Sequence, residues 1–224
     1  FDMKRRNFIK GTGAAVAGTL LAHSGVMSAA ASCMLADKIN IGVIGCNGMG
    51  WSNVASLLKM NDVDLVAICD VDDNVVQKRV DDYKKLRNNK PKTYKDYREL
   101  LNDRDVDAVV IGTPDHWHCR MMVDAVNAGK HVYVEKPIAN SIEECRIMVE
   151  AQEKTGKVVQ AGQWQRSGPH YRKAFDIVRS GVLGRIRLVK VWAYQGWMKP
   201  VPVVPDSQPP AGVDYKFWLG PAPE

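Results

Sequence analysis

The chain has 224 residues, of which 46% are hydrophobic and 25% are charged, and its 31 basic and 25 acidic side chains give a formal net charge of +6. This composition is typical of a globular protein and excludes the disordered, collagen-like and disulfide-scaffold classes. At about 150 residues per domain, the length suggests one large domain, or one domain and part of another. A clustered positive charge would indicate a nucleic-acid surface, so its distribution matters.

The first 31 residues are predicted to be an export signal. Four basic residues (Lys4, Arg5, Arg6 and Lys10) precede an uncharged stretch, residues 11–35, that is rich in Ala and Gly. A basic start, a weakly apolar middle and a run of small residues are typical of a secretory signal, and the paired arginines indicate the twin-arginine pathway. We expect cleavage near Ala30 or Ala31 and a periplasmic or otherwise exported protein. A membrane-anchor helix is the alternative, which the Gly and Ala content disfavours.

The signal also accounts for half of the net charge. Without Asp2 and the four basic residues, 27 basic and 24 acidic side chains leave a net charge of +3, and they are interspersed along the chain. This pattern predicts a solvated surface and no nucleic-acid partner. Cys33 follows the small-residue run and loosely resembles a lipoprotein processing site, which leaves a lipid anchor as a minor alternative.

The remaining cysteines show no metal-binding spacing. Cys46 and Cys69 lie at the ends of two apolar segments and are predicted to be small buried residues. Because an exported protein enters an oxidising compartment, a Cys46–Cys69 disulfide remains an open alternative. We predict no metal site.

Short apolar strands alternate with amphipathic helices from residue 38 to about residue 162. Continuous apolar strands predict a parallel sheet covered on both faces, so the expected fold is α/β, a doubly wound (Rossmann) domain spanning 38–162. The pattern predicts strands at 39–44, 63–69, 106–111, 131–134 and from 158, and helices at 51–60, 72–87, 94–101, 117–128 and 141–155.

The pattern changes after residue 162. A helix is predicted over 169–180 and a proline-rich loop over 199–212. Between them, apolar and polar residues alternate over 185–194, which predicts a strand with one face exposed to solvent. One helix, one strand and a loop cannot enclose a core. We therefore expect residues 163–224 to be the start of an α+β open-sheet domain for substrate binding and oligomerisation, and the chain to be an amino-terminal fragment.

A glycine-rich turn follows the first predicted strand. Its sequence, Gly45-Cys46-Asn47-Gly48-Met49-Gly50, matches the dinucleotide fingerprint except that Asn stands at the third position. Asn tolerates left-handed backbone better than most residues, so we expect Asn47 to preserve the turn. The helix that follows would direct its N-terminus at a pyrophosphate.

Asp70 ends the second strand, 20 residues after Gly50. A carboxylate at this point accepts hydrogen bonds from adenosine ribose hydroxyls and repels a 2′-phosphate, which favours NAD over NADP. The alternative is that Asp70 caps the next helix.

Two polar clusters follow the third and fourth apolar strands, where open α/β sheets bind ligands. The first is Thr113-Pro114-Asp115-His116-Trp117-His118 and the second is Glu135-Lys136-Pro137. A lysine at this edge can stabilise alkoxide charge during hydride transfer. The alternative for Glu135-Lys136 is a surface ion pair. The alternative for His116 and His118 is that their imidazoles pack at the start of a helix.

Together these motifs resemble the Gfo/Idh/MocA oxidoreductases. The resemblance implies that Lys136 is catalytic and contacts substrate, and that the cofactor lies against the glycine turn, Asp70, the two clusters and Gln163. It also implies that Trp164, Arg166 and Tyr171 face a sugar or polyol, and that the protein is a homo-oligomer. Trp218-Leu219-Gly220-Pro221 is similar to an exported, sugar-active branch. A further acid/base residue of the family is expected beyond residue 224.

Three functions stay open on these grounds. The first is an NAD-dependent oxidoreductase that acts on a sugar or polyol. The second is an NAD-dependent glycosidase that oxidises its sugar transiently. The third is an inactive fragment or a nucleotide-binding module without activity.

Overall fold

In the computed structural model, residues 38–193, 196 and 199–223 are described, and the predicted export signal and Cys33 lie outside them. Six parallel strands form one sheet in the order β3-β2-β1-β4-β5-β6. Their bounds are β1 Ile39–Ile44, β2 Val63–Cys69, β3 Lys92–Tyr94, β4 Ala108–Ile111, β5 His131–Val134 and β6 Val159–Ala161. The order reverses between β1 and β4, which creates the crevice where doubly wound sheets bind ligands.

Helices connect the strands and cover both faces of the sheet. Their bounds are α1 Gly48–Leu57, α2 Asp73–Arg87, α3 Tyr97–Asn102, α4 His118–Asn127, α5 Ile142–Thr155, α6 Pro169–Arg179 and α7 Tyr215–Leu219, with 3₁₀ turns at Asp115–Trp117 and Trp164–Ser167. The predicted doubly wound class is confirmed. The strand β3 was missed, because its three residues lie at the edge of the sheet and lack an apolar run.

The apolar strands have buried side chains on both faces, because helices pack against each side of the sheet. One cluster packs α1 and α2 against β1 and β2, with Val54, Val80 and Tyr83 at its centre. The other packs α3, α4 and α5 against β4 and β5, around Leu100 and Met122. Because both faces are buried, the sequences of these strands are continuous apolar runs.

Helix starts follow the local capping chemistry of the sequence. The Ser141 hydroxyl accepts from the N–H of Glu144 at 3.1 Å, and the Glu144 carboxylate accepts from the N–H of Asn140 at 2.7 Å. Asp72 caps α2 by accepting from the N–H of Asn74 at 2.9 Å. Asp72 thus fills the capping role that was the alternative for Asp70.

The segment after β6 differs from its prediction. The helix α6 forms as expected, but residues 185–193 contain no strand, and all of them are exposed. A strand requires a neighbouring backbone to pair its N–H and C=O groups, and alternation alone does not supply one. Within the described part of the chain, no helix combines the length and apolar character required to cross a bilayer.

Candidate functional site

The turn after β1 approaches the loop after β4 more closely than side chains would allow. A Cβ on Gly112 would lie 2.5 Å from the Cα of Gly50, and a Cβ on Gly50 would overlap the carbonyl oxygen of Gly45. Positive φ angles occur at Gly45 (76°) and Gly48 (45°). These glycines let the start of α1 pack tightly beside the switch point, which is the place between β1 and β4 where the strand order reverses.

Asn47 does not take the left-handed conformation that we expected. Its φ of −90° and ψ of 170° are extended, and Gly48 takes the left-handed conformation instead. The Asn47 side chain accepts from Arg79 Nη2 at 3.2 Å, and Arg79 Nε donates to the Cys46 carbonyl oxygen at 3.1 Å. The Asn side chain is therefore used to bind α2 to the turn.

Asp70 links the end of β2 to the same turn. One carboxylate oxygen accepts from the N–H of Cys46 at 2.8 Å, and the other accepts from the N–H of Asp72 at 3.2 Å. Burial, and secondarily the Asp70 charge, raises the pKa of the Cys46 and Cys69 thiols well above the ordinary value. Both cysteines are free and buried, so the structure contains no Cys46–Cys69 disulfide.

A cavity of about 470 Å³ lies at the switch point, beside the glycine turn and Asp70. Several of the residues predicted to bind a dinucleotide line it, namely Gly45, Asn47, Gly48, Met49, Asp70, Thr113, Pro114 and Trp117. The adjoining wall comes from Val71, Asp72, Val75, Lys95 and Tyr97. Its position and lining fit a dinucleotide that crosses the crevice, with adenosine on the β2 side.

The first polar cluster divides between the cavity and the protein interior. Trp117 is buried and lines the cavity, Asp115 is exposed, and His116 is partly exposed. His118 is only 1% exposed and does not line the cavity. Its Nε2 lies 2.9 Å from the carbonyl oxygen of Thr113, and its Nδ1 lies 2.6 Å from that of Pro137. His118 therefore joins the loops that follow β4 and β5.

The second polar cluster contains one fixed carboxylate and one exposed amine. Glu135 is buried and accepts from Asn53 Nδ2 at 2.8 Å and from the N–H of Lys136 at 3.0 Å. The Lys136 side chain is exposed, and the Lys136–Pro137 peptide bond is cis. The expected alternative, a surface Glu135–Lys136 ion pair, does not form. Lys136 is placed at the carboxyl end of β5, outside the lining of the 470 Å³ cavity.

The predicted site residues after β6 do not line the cavity that Asp70 borders. Gln163, Trp164, Arg166 and Tyr171 are all exposed. Trp164 lines a second cavity of about 450 Å³ with Met49, Ser52, Asn53, Ser56, Leu57 and Tyr133. Among the described residues, no group of three or more His, Cys, Asp or Glu side chains is placed to bind a metal ion.

The sequence of the nucleotide domain matches the model of a known protein family. Residues 39–163 match the model of an oxidoreductase family with an NAD-binding Rossmann fold, Gfo/Idh/MocA. The chain belongs to the Gfo/Idh/MocA oxidoreductase family. Residues 2–22 match the model of a twin-arginine translocation signal, which confirms the predicted export pathway.

The Gfo/Idh/MocA relatives include proteins named for carbohydrate chemistry. The chain is 33% identical over 204 residues to a glycosyl hydrolase family 109 protein of Shewanella sp. strain ANA-3, and 32% identical to an alpha-N-acetylgalactosaminidase of Shewanella oneidensis. Each match covers 83% of this chain and 44% of the relative. The chain thus spans less than half the length of these relatives.

Solved dehydrogenase structures share the fold. A myo-inositol 2-dehydrogenase from Lactobacillus plantarum is 28% identical, with a TM-score of 0.59, over 66% of this chain and 43% of that one. An NAD-binding oxidoreductase from Klebsiella pneumoniae is 29% identical, with a TM-score of 0.57, over 66% of this chain and 40% of that one. These likenesses agree with the parallel sheet and its NAD-binding assignment.

Several residues at the site were missed by sequence reasoning. Arg79 and Asn53 lie inside helices and carried no motif, although both contact predicted site residues. Val213, Phe217 and Trp218 also line the 470 Å³ cavity. A Trp-Leu-Gly-Pro run marked the neighbourhood of Trp218, but nothing in the sequence placed that run beside Asp70.

Proposed function

We propose that this chain is the cofactor-binding part of an NAD-dependent enzyme that transfers hydride between nicotinamide and a sugar or polyol. The observation that carries the proposal is the position of Asp70, whose carboxylate borders the same cavity as the glycine turn. A carboxylate there suits the ribose hydroxyls of an adenosine, while the start of α1 suits the pyrophosphate. The names of the relatives support a carbohydrate substrate.

We infer that NAD is preferred over NADP. Asp70 would repel a 2′-phosphate on the adenosine ribose, because both groups carry negative charge. Lys95 also lines the cavity, but its amine is 2.9 Å from Asp73 Oδ2, so it already has a carboxylate partner. The Asp70 oxygens are fixed by backbone N–H groups, which holds the carboxylate in place for the ribose.

Lys136 is the proposed catalytic residue. Glu135 fixes the backbone N–H of Lys136, and the exposed amine lies at the sheet edge where the nicotinamide end of a dinucleotide would lie. When bound, the cofactor supplies the hydride acceptor. In oxidation, the substrate carbon loses hydride and its hydroxyl loses a proton, and a C=O bond forms. Lys136 would donate a hydrogen bond to the developing alkoxide, and the hydroxyl proton would pass to a second acid/base group or to water.

A glycosidase is the second candidate, and the similarity to family 109 proteins favours it. In such a reaction the sugar is oxidised, the aglycone is eliminated after loss of an adjacent proton, water adds, and hydride returns to the sugar. The cofactor is then regenerated in each cycle. The same cofactor site and the same lysine would serve both reactions, so the structure of this domain is compatible with either.

The experiment compares the two reactions in the chain joined to any sequence that follows it in its reading frame. Sugars and polyols are tested for NADH accumulation, and aryl glycosides, including an N-acetylgalactosaminide, for release of the phenol without net NADH. Accumulation supports the oxidoreductase, and release without accumulation supports the glycosidase. NADH binding without either activity would support a nucleotide-binding module instead.

Lys136→Ala tests the catalytic assignment, with Lys154→Ala as the matched control because Lys154 is also exposed and lies in the last turn of α5. Lys136→Ala is expected to abolish turnover and leave NADH binding intact. Unchanged turnover in this variant would remove Lys136 from the mechanism.

The remaining proposals concern the export, location and assembly of the protein. We infer that the twin-arginine machinery is a partner, that the protein acts in the periplasm, and that the whole protein is a homo-oligomer. Replacement of Arg5 and Arg6 by Lys should retain the protein in the cytoplasm, as measured by cell fractionation. A lipid anchor at Cys33 would be revealed by labelling with a radioactive fatty acid.

A further inference from the structure

Residues 211–218, here called the strap, pass back across the nucleotide domain after the proline-rich segment. At one end, the strap binds the loop between β2 and α2. The N–H of Asp73 donates to the Gly212 carbonyl oxygen at 3.0 Å, and the N–H of Asp214 donates to the Val71 carbonyl oxygen at 3.0 Å. These bonds surround an antiparallel bridge between Asp72 and Val213.

The other end of the strap binds the loop after β4. The carbonyl oxygen of Trp218 accepts from Trp117 Nε1 at 2.9 Å and from His116 Nε2 at 3.0 Å. The Phe217 ring stacks on Tyr97 with a centroid separation of 6.2 Å and meets Trp117 edge-on at 5.4 Å. The strap therefore spans from the β2 side of the crevice to the β4 side.

The strap also forms part of the cavity wall. Val213, Phe217 and Trp218 line the same space as Asp70 and the glycine turn. Asp70 marks the ribose position, so the strap borders the adenosine half of the crevice. An aromatic and apolar wall suits the flat face of a purine, because bases stack on aromatic rings whatever their edge chemistry.

We propose that the strap is the outer wall of the adenosine subsite, and that adenine packing against Phe217 and Trp218 slows release of the dinucleotide. This inference rests on the proposed cofactor site and adds a second segment to it. Because the strap is bonded to both sides of the crevice, an adenosine beneath it leaves only when the strap lifts or the nucleotide slides out lengthwise. Slow release would let a cofactor loaded before export remain bound afterwards.

The first test measures the dissociation rate of NADH from the intact chain by stopped-flow fluorescence, with excess unlabelled ADP-ribose as the competitor. Phe217→Ala and Trp218→Ala are each expected to release NADH about tenfold faster, which is the size expected for one lost stacking contact. Trp218→Ala retains the backbone carbonyl that binds the strap to Trp117 and His116. This variant therefore removes the ring that lines the cavity without removing the hydrogen bonds that hold the strap. Phe175→Ala is the matched control, because Phe175 is an exposed ring on α6 that does not line the cavity.

The second test locates the contact along the dinucleotide. Titration with ADP-ribose and with nicotinamide mononucleotide should show about tenfold weaker ADP-ribose binding in both strap variants and unchanged mononucleotide binding. Circular dichroism verifies that each variant is folded.

The outcomes separate this inference from the proposed function. A wild-type chain that binds neither NADH nor ADP-ribose would overturn the cofactor site itself. Normal wild-type binding with unchanged rates in folded Trp218→Ala would overturn the strap inference alone, as would equal weakening of both fragments.

Discussion

The Nδ1 atom of His118 lies 2.6 Å from the carbonyl oxygen of Pro137, although the two residues belong to different loops of the sheet edge. The other ring nitrogen lies 2.9 Å from the carbonyl oxygen of Thr113. Both partners are carbonyl oxygens, which accept hydrogen bonds from a ring N–H. His118 thus fixes the spacing between the Thr113 loop and the Lys136-Pro137 loop.

Replacement of His118 by Leu should destabilise the protein by about 1–3 kcal/mol, because a buried carbonyl oxygen would lose the ring N–H from which it accepts. The measurement is the free energy of unfolding from a urea titration. His170→Leu is the matched control, since His170 is exposed on α6, and it should have little effect. Equal stability of the two variants would contradict a linking role for His118.

Gly112→Ala should disrupt the approach of α1 to the switch point. The added methyl group would lie 2.5 Å from the Cα of Gly50 and 2.9 Å from the carbonyl oxygen of Gly45. Backbone cannot yield as a flexible side chain would, so a loss of about 3 kcal/mol in unfolding free energy is expected, together with weaker NADH binding.

Gly48→Asn provides the comparison for Gly112→Ala. A Cβ at Gly48 meets no atom within 4 Å, and Asn tolerates its positive φ of 45°. Thermal unfolding should place the stability of this variant near that of the wild type. Similar damage from both substitutions would argue against the close approach as the cause.

Asp70→Asn should reduce the preference for NADH over NADPH. The amide keeps one acceptor oxygen for the Cys46 N–H, but it removes the negative charge that is proposed to face the ribose. NADH affinity is expected to fall about tenfold, because a hydrogen bond to a charged group is lost, whereas NADPH affinity should rise. Fluorescence titration with both cofactors measures the ratio.

Asp81→Asn is the control for the charge change at Asp70, since Asp81 lies on the adjoining helix α2, and neither it nor its ion-pair partner Lys84 lines the cavity. Its cofactor ratio should match wild type. An unaltered ratio in Asp70→Asn would exclude the carboxylate as the specificity determinant.

The buried thiols should resist alkylation in the folded protein. Burial first, and then the Asp70 charge, raises the pKa of Cys46 and Cys69, and only a thiolate reacts. At about pH 8.5, where an unperturbed thiol is half ionised, iodoacetamide should label exposed Cys145 and spare these two. Mass spectrometry of the peptides measures the labelling, and urea should expose all three thiols. Fast labelling of Cys46 without urea would contradict its placement.

Much of the nucleotide domain was predictable because its signals are local. Apolar runs identified β1, β2, β4 and β5, since strands covered on both faces admit few polar residues. The Ser141 cap and the glycine turn depend on neighbouring residues and were placed correctly. The alternating segment at 185–193 was predicted wrongly, because a strand is decided by its pairing partner.

Sequence alone determined the family, the parallel sheet and the position of Asp70 after β2, because spacing along the chain fixes which residues reach one sheet edge. Only the tertiary structure showed that Arg79 binds Asn47, that His118 joins two loops, and that the strap lines the same cavity as Asp70. Each of these contacts joins residues whose partners are set by packing and not by sequence spacing. The Phe217–Tyr97 stack joins residues 120 positions apart, a pairing that no local pattern encodes.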